Sequence, residues 1–368
     1  MHDLTSKLGL GVQSSLANTI LRTQRLDMIR QAALRNDMNM LRRMAREPQG
    51  FVHDGLRRLV WPMLLGTYQG TYIDEKGTGK EIADAGQITK DVERSFYYYP
   101  QDLTPSAKIH KQQELQEMIV EIMWRNPRLK YYQGFHDICT VILLVLGKKA
   151  AIPAAENVAL FFTRYPFCGH VMMCDDAMLD SFDPISKQLR LMMSMIECED
   201  SELMAAMIRN NILPFYALSW ILTWFSHDLI DYKRITRLFD LFIASSVMMP
   251  LYVSCAITLL QRNDLLATDP ECLHSRMTHI PQDIDIERSI AMAIQLESKY
   301  SALDLQKHSG IWLHDESTIN TWDSDWGTDR NILLNRLRVD QYLANKVPIE
   351  EWEQELLDEW LSKRKGSL

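Results

Sequence analysis

The chain has 368 residues, of which 46% are hydrophobic and 24% are charged, an ordinary balance for a globular protein. Its formal net charge of −8 argues against a general nucleic-acid-binding protein, because such proteins neutralise phosphates with many Lys and Arg side chains. Only 15 glycines and 13 prolines interrupt a chain dominated by helix-forming residues, so we expect an all-α fold.

The sequence lacks the usual signals for secretion or membrane insertion. No apolar run typical of a signal peptide stands at the N-terminus. The longest strongly apolar stretch, residues 138–146, is far shorter than the ~20 residues that a membrane-spanning helix needs. Six cysteines without a Cys-x-x-Cys pair fit a reducing compartment. We therefore expect a cytoplasmic protein with no transmembrane segment.

Helical periodicity covers most of the chain. The first stretch, 15–46, ends where Pro48 and Gly50 interrupt it, and a short segment over 56–65 follows. Residues 66–86 are rich in Gly and Thr, which predicts an exposed loop, and the helical pattern returns from Ile88 to about Tyr98. The nearly all-apolar stretch 136–147 predicts a buried helix that Gly147 ends. The other predicted helices are 112–124, 153–164, 183–196, 200–210, 214–226, 231–245, 251–262 and 285–299.

The two ends of the chain differ from the middle in charge. The first fifty residues are basic, which fits a solvated helix face or a contact with a membrane surface or partner. The last seventy are acidic and include Trp312, Trp322 and Trp326 among polar residues, followed by two predicted amphipathic helices. Two interpretations are open for this segment: an appendage that packs its tryptophans on the body, or a partner-binding tail.

Two patterns that suggest a ligand site lack residues that such a site requires. Residues 77–80 read like the end of a phosphate-binding loop, but Asp74 and Glu81 stand where that loop needs Gly and Ser or Thr. A structural zinc site needs four ligands, and only three candidates lie close together: Cys168, His170 and Cys174. No self-contained active site, cofactor site or metal site is predicted.

Two other segments carry more chemistry. If residues 88–95 are helical, Ile88, Asp91 and Ser95 share one face and Asp91 lies within reach of Arg94. Residues 131–137 place two tyrosines, Gln133 and Gly134 in a predicted turn before the buried helix, where glycine allows close backbone approach. Taken alone, each segment also has a purely structural interpretation, a surface ion pair in one case and an aromatic-capped loop in the other.

The order of these motifs resembles that of the TBC domain, the helical domain that activates Rab GTPases. The resemblance rests on Ile-x-x-Asp-x-x-Arg over 88–94 and Tyr-x-Gln-Gly-x-x-Asp over 131–137. An upstream segment, 55–66, is similar to the first family motif, with Arg57 and Trp61 in its fixed places. Segments 219–225 and 237–240 match later helices, so the resemblance covers about residues 50–300.

The resemblance implies an architecture. A TBC domain consists of two helical subdomains that form a V-shaped groove, here with extra helices at both termini. We therefore predict a basic helical N-terminal extension over 1–49 and a TBC domain over 50–300. This domain divides into a catalytic N-terminal subdomain, 50–165, and a C-terminal helical subdomain, 166–300. A Trp-containing acidic helical extension follows over 301–368.

The resemblance also implies how the protein acts. Arg94 is expected to be an arginine finger and Gln133 a glutamine finger, both supplied in trans to a GTP-bound Rab. GTP and Mg²⁺ would be carried by that partner, so the chain needs no cofactor of its own. Asp91 would hold Arg94 in its rotamer, and Tyr131 would wedge the Gln133 turn in place. The remaining expected site residues are supporting ones: Ile88, Gly134, Trp61 in the core, and Arg57 and Asp137, which brace the site or contact the partner.

Within the family, the amino-acid sequence at 131–147, 217–227 and 280–283 is similar to that of a subgroup with human and fungal members. That subgroup acts in traffic between the endoplasmic reticulum (ER) and the Golgi, which implies peripheral association with those membranes. Its members carry a C-terminal membrane anchor, and no comparable apolar stretch stands in this sequence. A catalytically silent TBC module that serves as a Rab-binding scaffold is the alternative function.

Overall fold

The computed structural model describes residues 20–67, 84–101, 103–126, 129–163, 183–313 and 317–323, together with residues 82 and 315. Helices dominate these ranges and none of their residues is in a β-strand, which confirms the all-α prediction. In chain order the helices are α1 (20–34), α2 (Met38–Arg46), α3 (Asp54–Leu64), α4 (Ala85–Glu93), α5 (Pro105–Arg125), α6 (Phe135–Leu146), α7 (Lys148–Asn157), α8 (Asp183–Glu199), α9 (Ser201–Arg209), α10 (Leu218–Leu222), α11 (Tyr232–Ile243), α12 (Met249–Leu260), α13 (Arg262–Ala267), α14 (Pro270–Thr278), α15 (Ile286–Lys299), α16 (Ala302–Ser309) and α17 (Thr318–Trp322).

Helix α6 is the centre of the first half of the molecule. Nine of its twelve residues are buried, because α3, α4, α5 and α7 all pack against it. Its limits are set by two glycines with positive φ, Gly134 at +117° and Gly147 at +73°, a conformation that other residues adopt only with strain. The prediction of a buried helix ended by Gly147 is therefore confirmed.

Helix α12 is the centre of the second half of the molecule. It begins with Pro250 in its first turn, where the missing N–H costs no hydrogen bond, and it packs against α8, α10, α11, α13 and α15. Ten of its twelve residues are buried. One continuous hydrophobic core then extends through both halves, from Ile29 to Ile319.

A buried ion pair joins the two halves. Asp240 of α11 is fully buried and accepts two hydrogen bonds from Arg57 of α3, at 2.9 Å from Nε and 3.0 Å from Nη2. The indole Nε1 of Trp61 and the backbone N–H of Phe51 also donate to this carboxylate, at 2.9 and 3.0 Å. Both carboxylate oxygens are thus satisfied, which a buried charge requires.

Several predicted helix boundaries are wrong. The stretch 15–46 is two helices, because Asn36 has a φ of +52° and the Asp37 side chain caps α2 by accepting from the Met40 N–H. The helix expected up to Tyr98 ends at Glu93, since Phe96 has a φ of +59°. The predicted helix 214–226 is a 3₁₀ turn, Pro214–Ala217, followed by α10 and then a non-helical turn. Helices α13, α14, α16 and α17 were not predicted.

The ends of the chain are described only in part. In the basic N-terminal stretch, Arg25 of α1 donates to the Met44 carbonyl of α2, and Arg46 donates to the Ser245 hydroxyl, so Arg46 attaches the stretch to the body. Near the other end, the Trp322 ring packs on Phe162 with 5.0 Å between centroids, whereas Trp312 is 55% exposed. Most of the 66–86 loop, the 77–80 pattern, the Cys168 cluster, Trp326 and the acidic helices lie outside the described residues.

Candidate functional site

The first motif segment occupies the second half of α4 and the two residues after it. Ile88, Asp91 and Ser95 are all buried on one face, and the Ser95 hydroxyl donates to the Asp91 carbonyl at 3.1 Å. The helix ends at Glu93, so Arg94 stands at its C-cap. Its side chain is 55% exposed and forms an ion pair with Asp91, whose own side chain is completely buried. The segment thus presents a cation that is anchored at one end and open to solvent at the other.

The second motif segment is the turn before α6. Its start is fixed by Tyr131, whose backbone N–H donates to Asp84 at 3.0 Å. Gln133 is exposed and makes no side-chain hydrogen bond to any residue of the described ranges. Gly134 follows with its left-handed backbone, and a Cβ there would lie 3.0 Å from the Thr223 methyl group. The turn therefore presents a free carboxamide beside a close backbone contact.

Asp91 joins the two motif segments. Its Oδ2 accepts a hydrogen bond of 2.7 Å from the Tyr131 hydroxyl, and its Oδ1 accepts from Gln87 at 2.9 Å and from Arg94. Burial and the neighbouring Asp91 carboxylate raise the pKa of Tyr131, so its hydroxyl remains a proton donor. The structure therefore brings Ile88, Asp91, Arg94 and Tyr131 together, with Gln133 two residues from Tyr131.

Asp137 lies between two histidines on the same side of the site. Its Oδ1 is 3.4 Å from Nε2 of His136, and its Oδ2 is 3.2 Å from Nδ1 of His227. Burial lowers the pKa of His136, although Asp137 and Asp91 oppose that effect. The hydrogen bond with Asp137 raises the pKa of His227, which is 62% exposed. The pair of His227 and Asp137 thus connects the second half of the molecule with α6.

The turn 222–227, which carries His227, is hydrogen-bonded to the second motif segment and to Tyr99, four residues after the first one. The Leu222 carbonyl accepts from Tyr132 at 2.9 Å, and the Ser226 carbonyl accepts from Tyr99 at 2.9 Å. Within the turn, Trp224 and Phe225 are buried at positive φ values of +51° and +66°. Large side chains rarely adopt this conformation, and such outliers concentrate at functional sites.

Sequence analysis missed Tyr99, His136 and His227 as parts of this site. His136 and Asp137 lie at the end of the 131–137 motif, in the first turn of the buried helix α6, so this ionisable pair was the one available signal. Tyr99 and His227 reach the site only through folding, because their partners are 127 and 90 residues away in sequence.

Arg57 and Trp61 belong to a different hydrogen-bonded cluster from the two motif segments. Their side-chain hydrogen bonds go to Asp54 and to the buried Asp240. Burial lowers the pKa of Arg57, but the charges of Asp240 and Asp54 and the hydrogen bonds to them outweigh that effect and raise the pKa overall. This geometry is that of a structural junction between α3 and α11.

The site offers an exposed guanidinium and an exposed carboxamide but few groups for chemistry of its own. Within the described ranges, no group of three or more His, Cys, Asp or Glu side chains is arranged to hold a metal ion. No helix in those ranges is both long and apolar enough to cross a membrane. An arrangement of this kind can donate hydrogen bonds to an anionic group on another molecule.

Comparison with known proteins places the chain among related sequences. The family model for the Rab-GTPase-TBC domain matches residues 54–266, more than half of the chain. TBC1 domain family member 20 of Homo sapiens is 32% identical over 286 residues, which are 77% of this chain and 68% of that protein. GTPase-activating protein gyp10 of Schizosaccharomyces pombe is 30% identical over 270 residues, 71% of this chain and 69% of that protein.

Solved structures show the same fold at lower identity. The Chlamydomonas flagellar RabGAP TBC domain matches with a TM-score of 0.55 and 17% identity, covering 76% of this chain and 94% of that one. The Ypt/Rab-GAP domain of Gyp1p matches with a TM-score of 0.54 and 14% identity, covering 72% and 93%. The resemblance found in the motifs is thereby confirmed, and the chain belongs to the Rab-GTPase-TBC domain family.

Proposed function

We propose that this protein is a GTPase-activating protein for a Rab-family GTPase and that it supplies Arg94 and Gln133 to the GTP site of that partner. One observation carries the proposal. The half-exposed Arg94 is anchored on the buried Asp91, and Asp91 also holds Tyr131, two residues before the exposed Gln133. The names of relatives such as gyp10, a GTPase-activating protein, support the same function.

The arginine suits the electrostatic part of this task. A small GTPase hydrolyses GTP slowly because the charge that develops on the phosphoryl oxygens is incompletely neutralised. A guanidinium is always charged and presents a planar fork of donors that fits phosphate oxygens. The Arg94 side chain leaves the end of α4 with 55% of its surface exposed, so a partner can reach it without unfolding the helix.

The glutamine suits the orientation of the attacking water. A carboxamide can donate to a γ-phosphate oxygen and accept from a water molecule at the same time. Gln133 is exposed, and its backbone is restricted by the Tyr131 hydrogen bond on one side and by the left-handed Gly134, where Thr223 leaves little room for a Cβ, on the other. Such restriction lowers the entropy that is lost when the amide is aligned with its target.

The partner in this proposal is the GTP-bound form of the Rab, and it carries both GTP and Mg²⁺. We further propose that the protein acts in traffic between the ER and the Golgi, in the cytoplasm or peripherally at those membranes. This assignment rests on the resemblance of residues 131–147, 217–227 and 280–283 to the subgroup described in the sequence analysis. In this role Ile88, Asp91, Tyr131, Gly134 and Asp137 support the two fingers.

The test is a hydrolysis screen in which the purified protein is mixed with a panel of GTP-loaded Rab GTPases. We expect at least one Rab to release phosphate much faster than its intrinsic rate. If a Rab binds in its GTP form but no member of the panel is accelerated, the chain is instead a silent Rab-binding scaffold. Mutation of Arg94 and Gln133 then asks whether these two residues cause the acceleration.

A further inference from the structure

The turn 222–227 belongs to the second half of the chain, yet it is hydrogen-bonded to residues close to both proposed fingers in the first half. Its carbonyl groups accept from Tyr99, five residues after Arg94, and from Tyr132, next to Gln133. Its Thr223 methyl group contacts the position of Gly134. At its end, His227 is the one side chain of the turn that makes a polar contact with Asp137 of α6.

We propose that His227 is a positioning residue for the fingers, which acts by holding Asp137 away from Arg94. The inference rests on the proposed GTPase-activating function. It assigns a role to a histidine that lies outside both motifs. His227 touches neither nucleotide nor reacting atoms in this assignment, because it acts through Asp137.

The polar contacts form a continuous path from His227 to Arg94. His227 contacts Asp137 at 3.2 Å, and the other oxygen of Asp137 lies 3.4 Å from His136. On its far side, Nδ1 of His136 is 3.3 Å from the Tyr131 hydroxyl and 3.6 Å from the Asp91 carboxylate. Asp91 then pairs with Arg94. All the residues of this path lie within the described ranges, and each is in polar contact with the next.

The charges along this path explain why His227 is needed. Two carboxylates lie near Arg94: Asp91 pairs with it directly, and Asp137 is separated from Asp91 by the ring of His136, whose nitrogens are 3.6 Å from Asp91 and 3.4 Å from Asp137. Each oxygen of Asp137 now has an imidazole neighbour. Without His227, one oxygen of Asp137 would lose its partner and would compete with Asp91 for the Arg94 guanidinium. The finger would then be drawn away from the position in which Asp91 holds it.

Four charged or titratable groups face His227. Asp137 and Asp228 favour its protonated form, and Arg94 disfavours it. His136 faces it across Asp137. Asp228 accepts from Ser219 at 2.8 Å and faces His279, and burial raises the pKa of Asp228 to about 6. Because the pKa of His227 is raised, its positive charge persists to higher pH than usual and is lost as the pH rises through that raised value.

Three variants test the assignment in the hydrolysis assay with a responsive Rab. His227→Ala should lower the stimulated kcat by about 10- to 100-fold with little change in KM, because misplaced catalytic groups cost rate rather than binding. His227→Asn keeps an N–H donor near the position of Nδ1, so it should restore most of the kcat and remove the pH dependence that His227 gives the wild type. His110→Ala is the control, since His110 is also exposed and lies 3.7 Å from a carboxylate, that of Glu114.

A second readout does not depend on activity. The pKa of His227, measured by NMR titration of its imidazole, should exceed about 6.5 in the wild type and fall in Asp137→Asn. Thermal unfolding of each variant shows whether it is folded. If His227→Ala is not folded, His227→Asn tests the assignment in its place. An unchanged pKa in Asp137→Asn overturns the contact on which the inference stands.

The two proposals fail in different ways. If Arg94→Ala abolishes stimulation while His227→Ala and His227→Asn both keep the wild-type kcat and pH profile, the positioning role is wrong and the GTPase-activating function stands. A rise in KM alone for His227→Ala would also overturn the positioning role, because it indicates a binding contact. If no Rab is stimulated by the wild type, the proposed function fails, and the NMR titration still decides whether His227 is bound to Asp137.

Discussion

The hydroxyl of Tyr131 donates a hydrogen bond of 2.7 Å to the carboxylate of Asp91, forty residues earlier in the chain. Both groups are buried, and Asp91 simultaneously pairs with the half-exposed Arg94. One carboxylate thereby fixes the end of α4 and the turn before α6 relative to each other. For a partner that contacts Arg94, the turn that carries Gln133 therefore lies at a fixed position relative to that arginine.

Removal of the Tyr131 hydroxyl should weaken the connection between α4 and the turn before α6, while the aromatic ring keeps its size and packing. We expect Tyr131→Phe to lower the free energy of unfolding by about 1–2 kcal/mol, because a buried hydrogen bond to a charged acceptor is lost. The stimulated rate of hydrolysis should fall as well, since the Gln133 turn loses its bond to α4. Urea unfolding and phosphate release measure the two effects.

The control is Tyr97→Phe, which removes a hydroxyl from a side chain that is 77% exposed. It should change the unfolding free energy by less than about 0.5 kcal/mol. Equal losses in the two variants would contradict the role of the Tyr131 and Asp91 bond.

The junction of Arg57 and Asp240 should matter for stability far more than a surface ion pair does. Asp240→Ala leaves a buried guanidinium and the Trp61 N–H without their acceptor, so we expect a loss of about 3–5 kcal/mol. The matched variant is Arg43→Ala, which breaks a 3.0 Å pair with Glu47 in which the arginine is 67% exposed. That change should cost less than about 1 kcal/mol.

Chemical denaturation of the two variants provides the comparison. If Asp240→Ala does not fold, the isosteric Asp240→Asn should still fold with a smaller loss of stability. Similar unfolding free energies for Asp240→Ala and Arg43→Ala would show that the buried pair is not a structural junction.

Two glycines should respond in opposite ways to an added methyl group. Gly134→Ala should destabilise the protein by at least about 1 kcal/mol, because φ is +117° and the new Cβ would lie 3.0 Å from Thr223. The stimulated rate should also fall, since the displaced backbone carries Gln133. Gly86→Ala should stabilise α4 by about 0.5–1 kcal/mol, since no atom lies within 4 Å of the added Cβ.

Thermal unfolding and phosphate release of both variants test this pair. A stable and fully active Gly134→Ala would mean that the turn before α6 tolerates a different backbone. A destabilised Gly86→Ala would contradict the description of α4.

Gln133 should contribute to rate and not to affinity. We expect Gln133→Ala to reduce the stimulated kcat strongly and to leave the KM for the GTP-bound Rab almost unchanged, because its amide acts on the attacking water. Measurement of initial rates over a range of Rab concentrations separates the two constants. A raised KM with normal kcat would make Gln133 a contact residue.

Much of this architecture could be predicted from local sequence. The apolar run of α6 and its terminal Gly147 were enough to predict a buried helix, and the spacing of Ile88, Asp91 and Ser95 predicted that these residues share one face, which the structure shows to be buried. Each of these signals comes from residues that are close together in sequence, which is the range over which helical periodicity and helix-ending glycines can be recognised.

The remaining features depend on contacts that are distant in sequence. Local propensity continues α4 to Tyr98, but the helix ends at Glu93, and Phe96 is buried in a left-handed conformation. The same holds for the turn that follows α10, where buried Trp224 and Phe225 replace the predicted helix. In these places tertiary packing overrides propensity, and sequence periodicity contains no information about it.

The central claim is that Arg94 acts on the GTP of another protein, and single-turnover phosphate release with a responsive GTP-loaded Rab tests it most directly. Because Asp91 keeps its hydrogen bonds from Tyr131 and Gln87, Arg94→Ala should still fold, with a smaller loss of stability than Asp240→Ala. Its stimulation should fall by about 10³- to 10⁵-fold, or to the intrinsic rate if the wild type stimulates less than that. A folded Arg94→Ala protein that accelerates hydrolysis as well as the wild type would contradict the account.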